Sequence, residues 1–382
     1  MKKIGLAVCY DTKNFGSQLQ VLATIKKIEE LGYQTEIIRY KKKISPKFIM
    51  QTIPRFFNGY FIWNKYINAK KKFSVSWYPE IKQKISVRNE RFQKFQEKYF
   101  TNVSAWYLGW ENLVNQSADN YDMFLCGSDQ LWRPQNLGSH FYTLEFASDD
   151  KPKIAYATSF GVKQIPWYQK KRTANYLNRF KYLSTREISG YHIIKELAQK
   201  ESAIVCDPTL LMDCSEWLNV IPHKETLSKA YVLCYFLGNN PKHRKLANKF
   251  AEDNHLKLVT CPFLDNFVKE DINFGDIQLF DFDSEDFVNM IRNAEYILTD
   301  SFHGTVFSIL NHKKFLVFNR FQEGANSRNS RIDSLCSILD LSNRRYQSDF
   351  NVVKQEINYQ AVDEKLQEFR STSIKYLKDS LA

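Results

Sequence analysis

Three stretches of the chain bring polar, charged and small residues to the end of an apolar run, where chemistry can sit. Asp11-Thr-Lys-Asn14-Phe15-Gly16-Ser17-Gln18 follows the run from Lys3 to Cys9. Gly16 would let a ligand approach the backbone, and a helix starting there offers free N–H groups to an anion. Equally, Asn14 and Ser17 serve as helix caps. Cys126-Gly-Ser-Asp129-Gln130-Leu-Trp132 follows a second run, with Ala157-Thr-Ser-Phe-Gly161 soon after. Asp129 and Gln130 suit the paired hydrogen bonds of sugar hydroxyls, and Trp132 suits the apolar face of a sugar ring. The same pattern also fits a turn in which Asp129 caps a helix. In Leu298-Thr-Asp300-Ser301-Phe-His303-Gly304-Thr305, His303 is the one histidine of 7 at such a junction. An imidazole at a helix N-terminus holds an anion or moves a proton near neutral pH. Arg186, in Ser184-Thr-Arg-Glu187, offers a guanidinium to a phosphate or carboxylate, or else forms a surface ion pair with Glu187.

Positioning these residues requires alternating strands and helices. Lys3 to Cys9 predicts a buried strand, Leu19 to Leu31 an amphipathic helix closed by Gly32, and Tyr33 to Arg39 a second strand, so the chain opens with a βαβ unit. Further strand candidates are 123–126, 154–157, 203–206, 231–237, 256–260, 296–299 and 315–318, with helical stretches at 167–182, 242–254 and 284–293 between them. Such alternation implies parallel sheets covered on both faces, with ligands beyond the carboxyl ends of the strands. The 382 residues are enough for two such sheets. The expected division is a Rossmann-like domain over 1–200 and another over 201–382, ending in a helix over 362–377.

Composition is that of a globular protein, with 43% hydrophobic and 25% charged residues. No apolar run approaches the roughly 18 to 20 residues that cross a bilayer. The 7 cysteines are odd in number and scattered, which suggests neither a disulfide framework nor a zinc site and points to a reducing cytoplasm. No metal-ligand cluster is evident. Net charge is +12, and 9 of those charges lie in the acid-free segment 41–79. Aromatic residues interleave with the cations there, as in a segment lying on anionic lipid. The other reading is a solvated insertion packing its aromatics on the main domain. Nucleic acid is not expected, because no recognised motif accompanies the charge.

At the junctions the residues become more specific. Asn14-Phe-Gly-Ser-Gln-Leu-Gln20, Gly127-Ser-Asp-Gln-Leu-Trp132, Thr158-Ser-Phe-Gly161, Ser184-Thr-Arg-Glu187, Asp207-Pro-Thr-Leu-Leu211 and Thr299-Asp-Ser-Phe-His-Gly304, in this order, resemble the polysaccharide pyruvyl transferase family. The likeness runs from the first strand to about Leu339. It implies two Rossmann-like doubly wound α/β domains arranged as in GT-B glycosyltransferases, with the site in the cleft between them. It also implies transfer of the enolpyruvyl carbons of phosphoenolpyruvate onto two hydroxyls of one sugar, giving a cyclic ketal and phosphate, with no cofactor beyond that co-substrate. Arg186 and His303 would flank the donor, with Ser301 and Gly304 beside them. Asp300 would orient His303 or act as base, and Arg328 and Arg331 would complete a cationic cradle. The acceptor would meet Asn14, Gly16, Ser17, Asp129, Gln130 and Trp132. Many members carry Arg-Leu-His where this chain has Ser301-Phe302-His303, so another cation, such as Arg328 or Arg331, must stand in.

The acceptor implied is a saccharide of a cell-surface polysaccharide or its polyprenyl-pyrophosphate-linked precursor. The expected place is the cytoplasm, peripheral on the inner face of the membrane through 41–79. Two other functions are open to the sequence: a GT-B glycosyltransferase using a nucleotide sugar, and a non-catalytic membrane-associated scaffold in polysaccharide assembly.

Overall fold

In the computed structural model the described residues are 1–43, 78–134, 140–262, 264, 268–320 and 330–382. Most of the basic aromatic segment, from 44 to 77, and Arg328 lie outside them.

The apolar runs form parallel strands. In the first unit β1 (Lys3–Ala7), β2 (Gln34–Lys41), β3 (Val103–Leu108), β4 (Met123–Gly127) and β5 (Lys153–Tyr156) pair in the order β3-β2-β1-β4-β5. Helices α1 (Phe15–Glu30), α2 (Pro79–Tyr99), α3 (Trp110–Ser117), α4 (Trp167–Asn178) and α5 (Ile188–Ala198) belong to this unit. Beyond β5 the backbone continues through an Ala155 N–H bond to the Tyr182 carbonyl (2.9 Å) into the short parallel pair β6 (Ser184–Thr185) and β7 (Ala203–Ile204). Residues 203–204 therefore pair with β6, which adjoins the first sheet, just past the expected division at 200.

Two short helices, α6 (Pro208–Leu211) and α7 (Cys214–Val220), lead to the second unit. There β8 (Tyr231–Tyr235), β9 (Lys257–Thr260), β10 (Ile277–Gln278), β11 (Tyr296–Thr299) and β12 (Lys314–Val317) pair in parallel in the order β10-β9-β8-β11-β12. Helices α8 (Pro241–Asp253), α9 (Ser284–Asn293), α10 (Phe302–Leu310) and α11 (Ser330–Ile338) follow strands of this sheet. The last helix, α12 (Tyr359–Leu381), exceeds the predicted 362–377 and returns to the first unit. There Ser373 accepts from Cys206 N–H (2.9 Å) and Tyr376 donates to the Ala155 carbonyl (3.0 Å).

Each sheet reverses its strand order once, between β1 and β4 and between β8 and β11. In open parallel sheets that switch point is where loops part and a ligand fits. The loops after β1, β4 and β11 carry the three sequence junctions.

The units share a hydrophobic core. Phe15, at the first turn of α1, is buried against Phe92 of α2 (ring centroids 4.9 Å apart), Phe282 (4.7 Å), Phe287 of α9 (5.1 Å) and Tyr235 of β8 (5.9 Å). Beside it the fully buried Gln18 donates to the Phe92 carbonyl (3.1 Å) and accepts from Ser284 (2.8 Å), tying α1 to both α2 and α9. Arg91 of α2 completes the seam by pairing with Asp283 (2.9 Å) and Asp286 (2.5 Å).

Candidate active site between the two sheets

The loop after β1 turns into α1 because the Asn14 side chain accepts from Ser17 N–H (3.1 Å). Capping is thus one use of this loop, but it also fixes two further features. Ser17 Oγ donates to Asp129 Oδ2 (2.9 Å), and Gly16 lies under the ring of His303. A Cβ at Gly16 would stand 1.8 Å from His303 Nδ1, so only glycine admits this approach.

After β4 the backbone takes left-handed conformations at two successive residues, Ser128 (φ 44°) and Asp129 (φ 65°). Neither is glycine, and such pairs mark strained turns. This turn aims Ser128 at Gln20 (2.8 Å) and Asp129 at Ser17 and Arg186. Gln130 follows, and its amide, oriented by its neighbours, accepts from Arg331 Nη2 (2.8 Å) and Nε (3.2 Å).

Arg186 does not form a surface pair with Glu187. It is 4% exposed, and its Nη1 donates to Asp207 Oδ2 (2.5 Å) while Nη2 reaches Asp129 Oδ1 (3.5 Å). Glu187 turns the other way, accepting from Ser159 Oγ (2.8 Å) and from the N–H groups of Phe160 (3.1 Å) and Gly161 (3.2 Å). This carboxylate joins the Thr158–Gly161 and Ser184–Glu187 motifs into one unit and so sets where Arg186 starts.

His303 is in the first turn of α10, whose cap is Ser301 accepting from Gly304 N–H (3.3 Å). Its Nε2 lies 3.7 Å from Asp207 Oδ1, beyond hydrogen-bond reach, and is buried without a partner among the described residues. Arg186 Nε is likewise buried with no hydrogen-bond partner among the described residues. Phe302 lies beneath two guanidinium groups, with Arg186 Cζ 5.0 Å and Arg331 Cζ 5.5 Å from its ring centre.

The electrostatics suit an anion. Burial alone would raise the Asp207 carboxyl's pKa, but His303 and Arg186 outweigh it and hold the group well below the usual range. Asp129 is lowered as well, with burial opposed by Arg186 and Arg331. Burial, together with the nearby Arg186, disfavours the charge on Arg331 and pushes its pKa down to about 9. A bound anion would relieve that repulsion.

Two sequence expectations need correction. Trp132 is not a platform open to a sugar: it is 0% exposed, donates to the Tyr142 carbonyl (3.0 Å) and packs among Phe160, Tyr176 and Phe180. Asp300 does not orient His303: its carboxylate accepts from Leu237 N–H (2.7 Å) and Gly238 N–H (2.8 Å), fixing the loop after β8. The carboxylate facing His303 is Asp207, whose Oδ1 also accepts from Thr209 N–H (3.1 Å) and Oγ1 (2.6 Å). Gly304 packs on Thr299, since a Cβ there would lie 2.5 Å from Oγ1. Asn14, Gly16, Ser17, Asp129, Gln130, Arg186, His303 and Arg331 do converge. Asp207, Gln20 and Ser128 join them, and the sequence signal for all three was their place inside short motifs rich in capping and amide residues.

A family model described as "Polysaccharide pyruvyl transferase" matches residues 14–320. Comparison with curated proteins gives no match. Among solved structures, the chain is similar to a protein described as a UDP-N-acetylglucosamine 2-epimerase from Listeria monocytogenes (TM-score 0.53, 10% identity, 100% of this chain and 91% of that one). It is equally similar to the UDP-GlcNAc 2-epimerase of Neisseria meningitidis bound to UDP-GlcNAc (TM-score 0.53, 10% identity, 100% and 99%). At that identity the likeness establishes the shared GT-B architecture, built on two parallel-sheet units.

Proposed function

Since the chain belongs to the polysaccharide pyruvyl transferase family, we propose that it moves the enolpyruvyl group of phosphoenolpyruvate onto two hydroxyls of a single sugar. The sugar belongs to a cell-surface polysaccharide or its lipid-linked precursor. The observation that carries this reading is the pair of buried nitrogens, Arg186 Nε and His303 Nε2, that have no hydrogen-bond partner among the described residues, on the two sides of Asp207. A buried donor without a partner costs free energy, about 1–3 kcal/mol, that a bound anion would recover.

In this scheme Arg186 and Arg331 hold the donor's carboxylate and phosphate, and Phe302 supports both guanidinium planes. His303 delivers a proton to the methylene carbon, which leaves C2 electron-deficient. A sugar hydroxyl hydrogen-bonded to Asp129 forms the first C–O bond at C2. The C–O bond to phosphate then breaks, and the second hydroxyl closes the ketal. One hydroxyl proton replaces that given to the methyl carbon, and the other leaves with phosphate, so atoms and charge balance. Asp129 is the natural acceptor-side carboxylate, because its side chain is 28% exposed while that of Asp207 is closed off.

Calorimetric titration tests the proposal. Phosphoenolpyruvate should bind the wild type, UDP should not, and Arg186→Ala or His303→Ala should weaken donor binding by at least tenfold. Heat from UDP with none from phosphoenolpyruvate would overturn it in favour of a nucleotide-sugar transferase.

A further inference from the structure

Helix α4 begins with the most exposed aromatic side chains among the described residues, Trp167 at 84% and Tyr168 at 61%. Their rings meet edge to face, with centroids 5.9 Å apart. Ile188, 45% exposed, opens the neighbouring helix α5. Helices α4 and α5 pack side by side and both start at the carboxyl-end rim of the first sheet. Within four residues of the aromatic pair along the chain are the exposed lysines Lys163, Lys170 and Lys171, with Lys170 also pairing with Glu196 (2.6 Å).

We propose that this rim, led by Trp167 and Tyr168, is a docking surface for an anionic lipid bilayer. Trp and Tyr favour the boundary between hydrocarbon and water, where the ring is buried and the polar edge stays wet. Lysines beside them gain from anionic headgroups. A protein partner fits less well: the core of a protein interface is depleted in Lys, whereas here three exposed lysines lie within four residues of the rings along the chain. This rests on residues other than the 41–79 segment.

Position gives the docking a use. Gly161 lies against the Gln130 amide, where a Cβ would come within 2.9 Å, so the loop leaving the site floor is the one that ends at Trp167. Six residues span at most about 20 Å. A chain seated through Trp167 therefore keeps the Arg186–His303 site within reach of saccharides borne on lipid at that bilayer. Docking does not depend on the proposed reaction, and a failure of either leaves the other standing.

The experiment is co-sedimentation of the full chain with vesicles of phosphatidylcholine alone and of equal parts phosphatidylcholine and phosphatidylglycerol. Wild type should sediment with the second set only and be released by high salt. Trp167→Ala/Tyr168→Ala, whose side chains are exposed and should leave the melting temperature unchanged, should lose at least tenfold in affinity. Lys163→Glu/Lys171→Glu should lose the preference for anionic vesicles. Wild type that ignores anionic vesicles, or a Trp167→Ala/Tyr168→Ala variant that binds as wild type does, would overturn the proposal. So would a wild-type dimer that this variant dissociates, because the pair would then be covered by a second copy.

Discussion

The Asp207 carboxylate stands between a guanidinium and an imidazole: its Oδ2 takes the Arg186 hydrogen bond, and its Oδ1 lies 3.7 Å from His303 Nε2. It comes from the turn leaving the first unit, whereas His303 belongs to the second, so one carboxylate couples the charged groups of both.

The pH dependence of folding follows from that position. Folding depresses the Asp207 pKa below an unfolded value of about 4. Its contribution is therefore complete above about pH 4 and is lost as pH falls toward the folded value. Asp207→Asn should flatten the acid limb of the stability curve in that range. At pH 7 it should cost up to about 3–5 kcal/mol, because Arg186 would remain buried with only the more distant Asp129 as counter-charge. Urea unfolding of both proteins across acidic pH checks this, and parallel curves would count against it.

Gly16→Ala should separate activity from stability. The new Cβ, built 1.8 Å from His303 Nδ1, must push the ring aside. Displacing a reacting group by about 1 Å is expected to cost on the order of a hundredfold in turnover. The ring, at the end of a side chain, yields before the backbone does, so the melting temperature should fall by only a few degrees. Phosphate release beside a thermal melt tests both halves.

Phe15→Ala should be among the costliest truncations, at about 3–5 kcal/mol, since four aromatic rings close on this side chain. Those rings belong to both units, so denaturant unfolding should also change from one transition to two. A single, merely shifted transition would show that the seam is held elsewhere.

Ser301→Arg installs the residue common in the family, yet it should not strengthen donor binding. Ser301 caps α10 and is 3% exposed, and Arg331 already stands over Phe302. Loss of the cap costs about 1 kcal/mol, and the new side chain would crowd Arg186 and Arg331. Calorimetry with phosphoenolpyruvate and a melting curve would show whether affinity stays level or falls.

Much of the fold was legible because it is written in buried apolar runs. The strands at 123–127, 231–235 and 296–299, and the helix at 284–293, fall within a few residues of their sequence limits. Strand β3 was not legible, because its edge position leaves Trp106 and Leu108 exposed and breaks the alternation. Helix α2 was hidden by its charge: it is stabilised through Phe92, Phe95 and ion pairs to α9, which are tertiary partners rather than local pattern. In the site, the short motifs showed which residues matter but not which face each other. An aspartate before proline looks like a helix cap, and Asp207 is one, accepting from Thr209 N–H. That its second oxygen meets Arg186 depends on how β6 and β7 pair, which no local spacing records. Trp132 misleads for the same reason, since an aromatic after a polar loop looks alike whether it lines a cleft or closes a core.

The two left-handed residues at Ser128 and Asp129 set a trade between durability and work. Each non-glycine residue in that conformation costs about 1–2 kcal/mol, a reserve that a glycine at 128 would release by relaxing the turn. The same relaxation would free the backbone that aims Ser128 and Asp129 at Gln20, Ser17 and Arg186. Selection for heat resistance alone would thus be drawn to this turn, and the substitutions it favoured there would be those that dismantle the constellation.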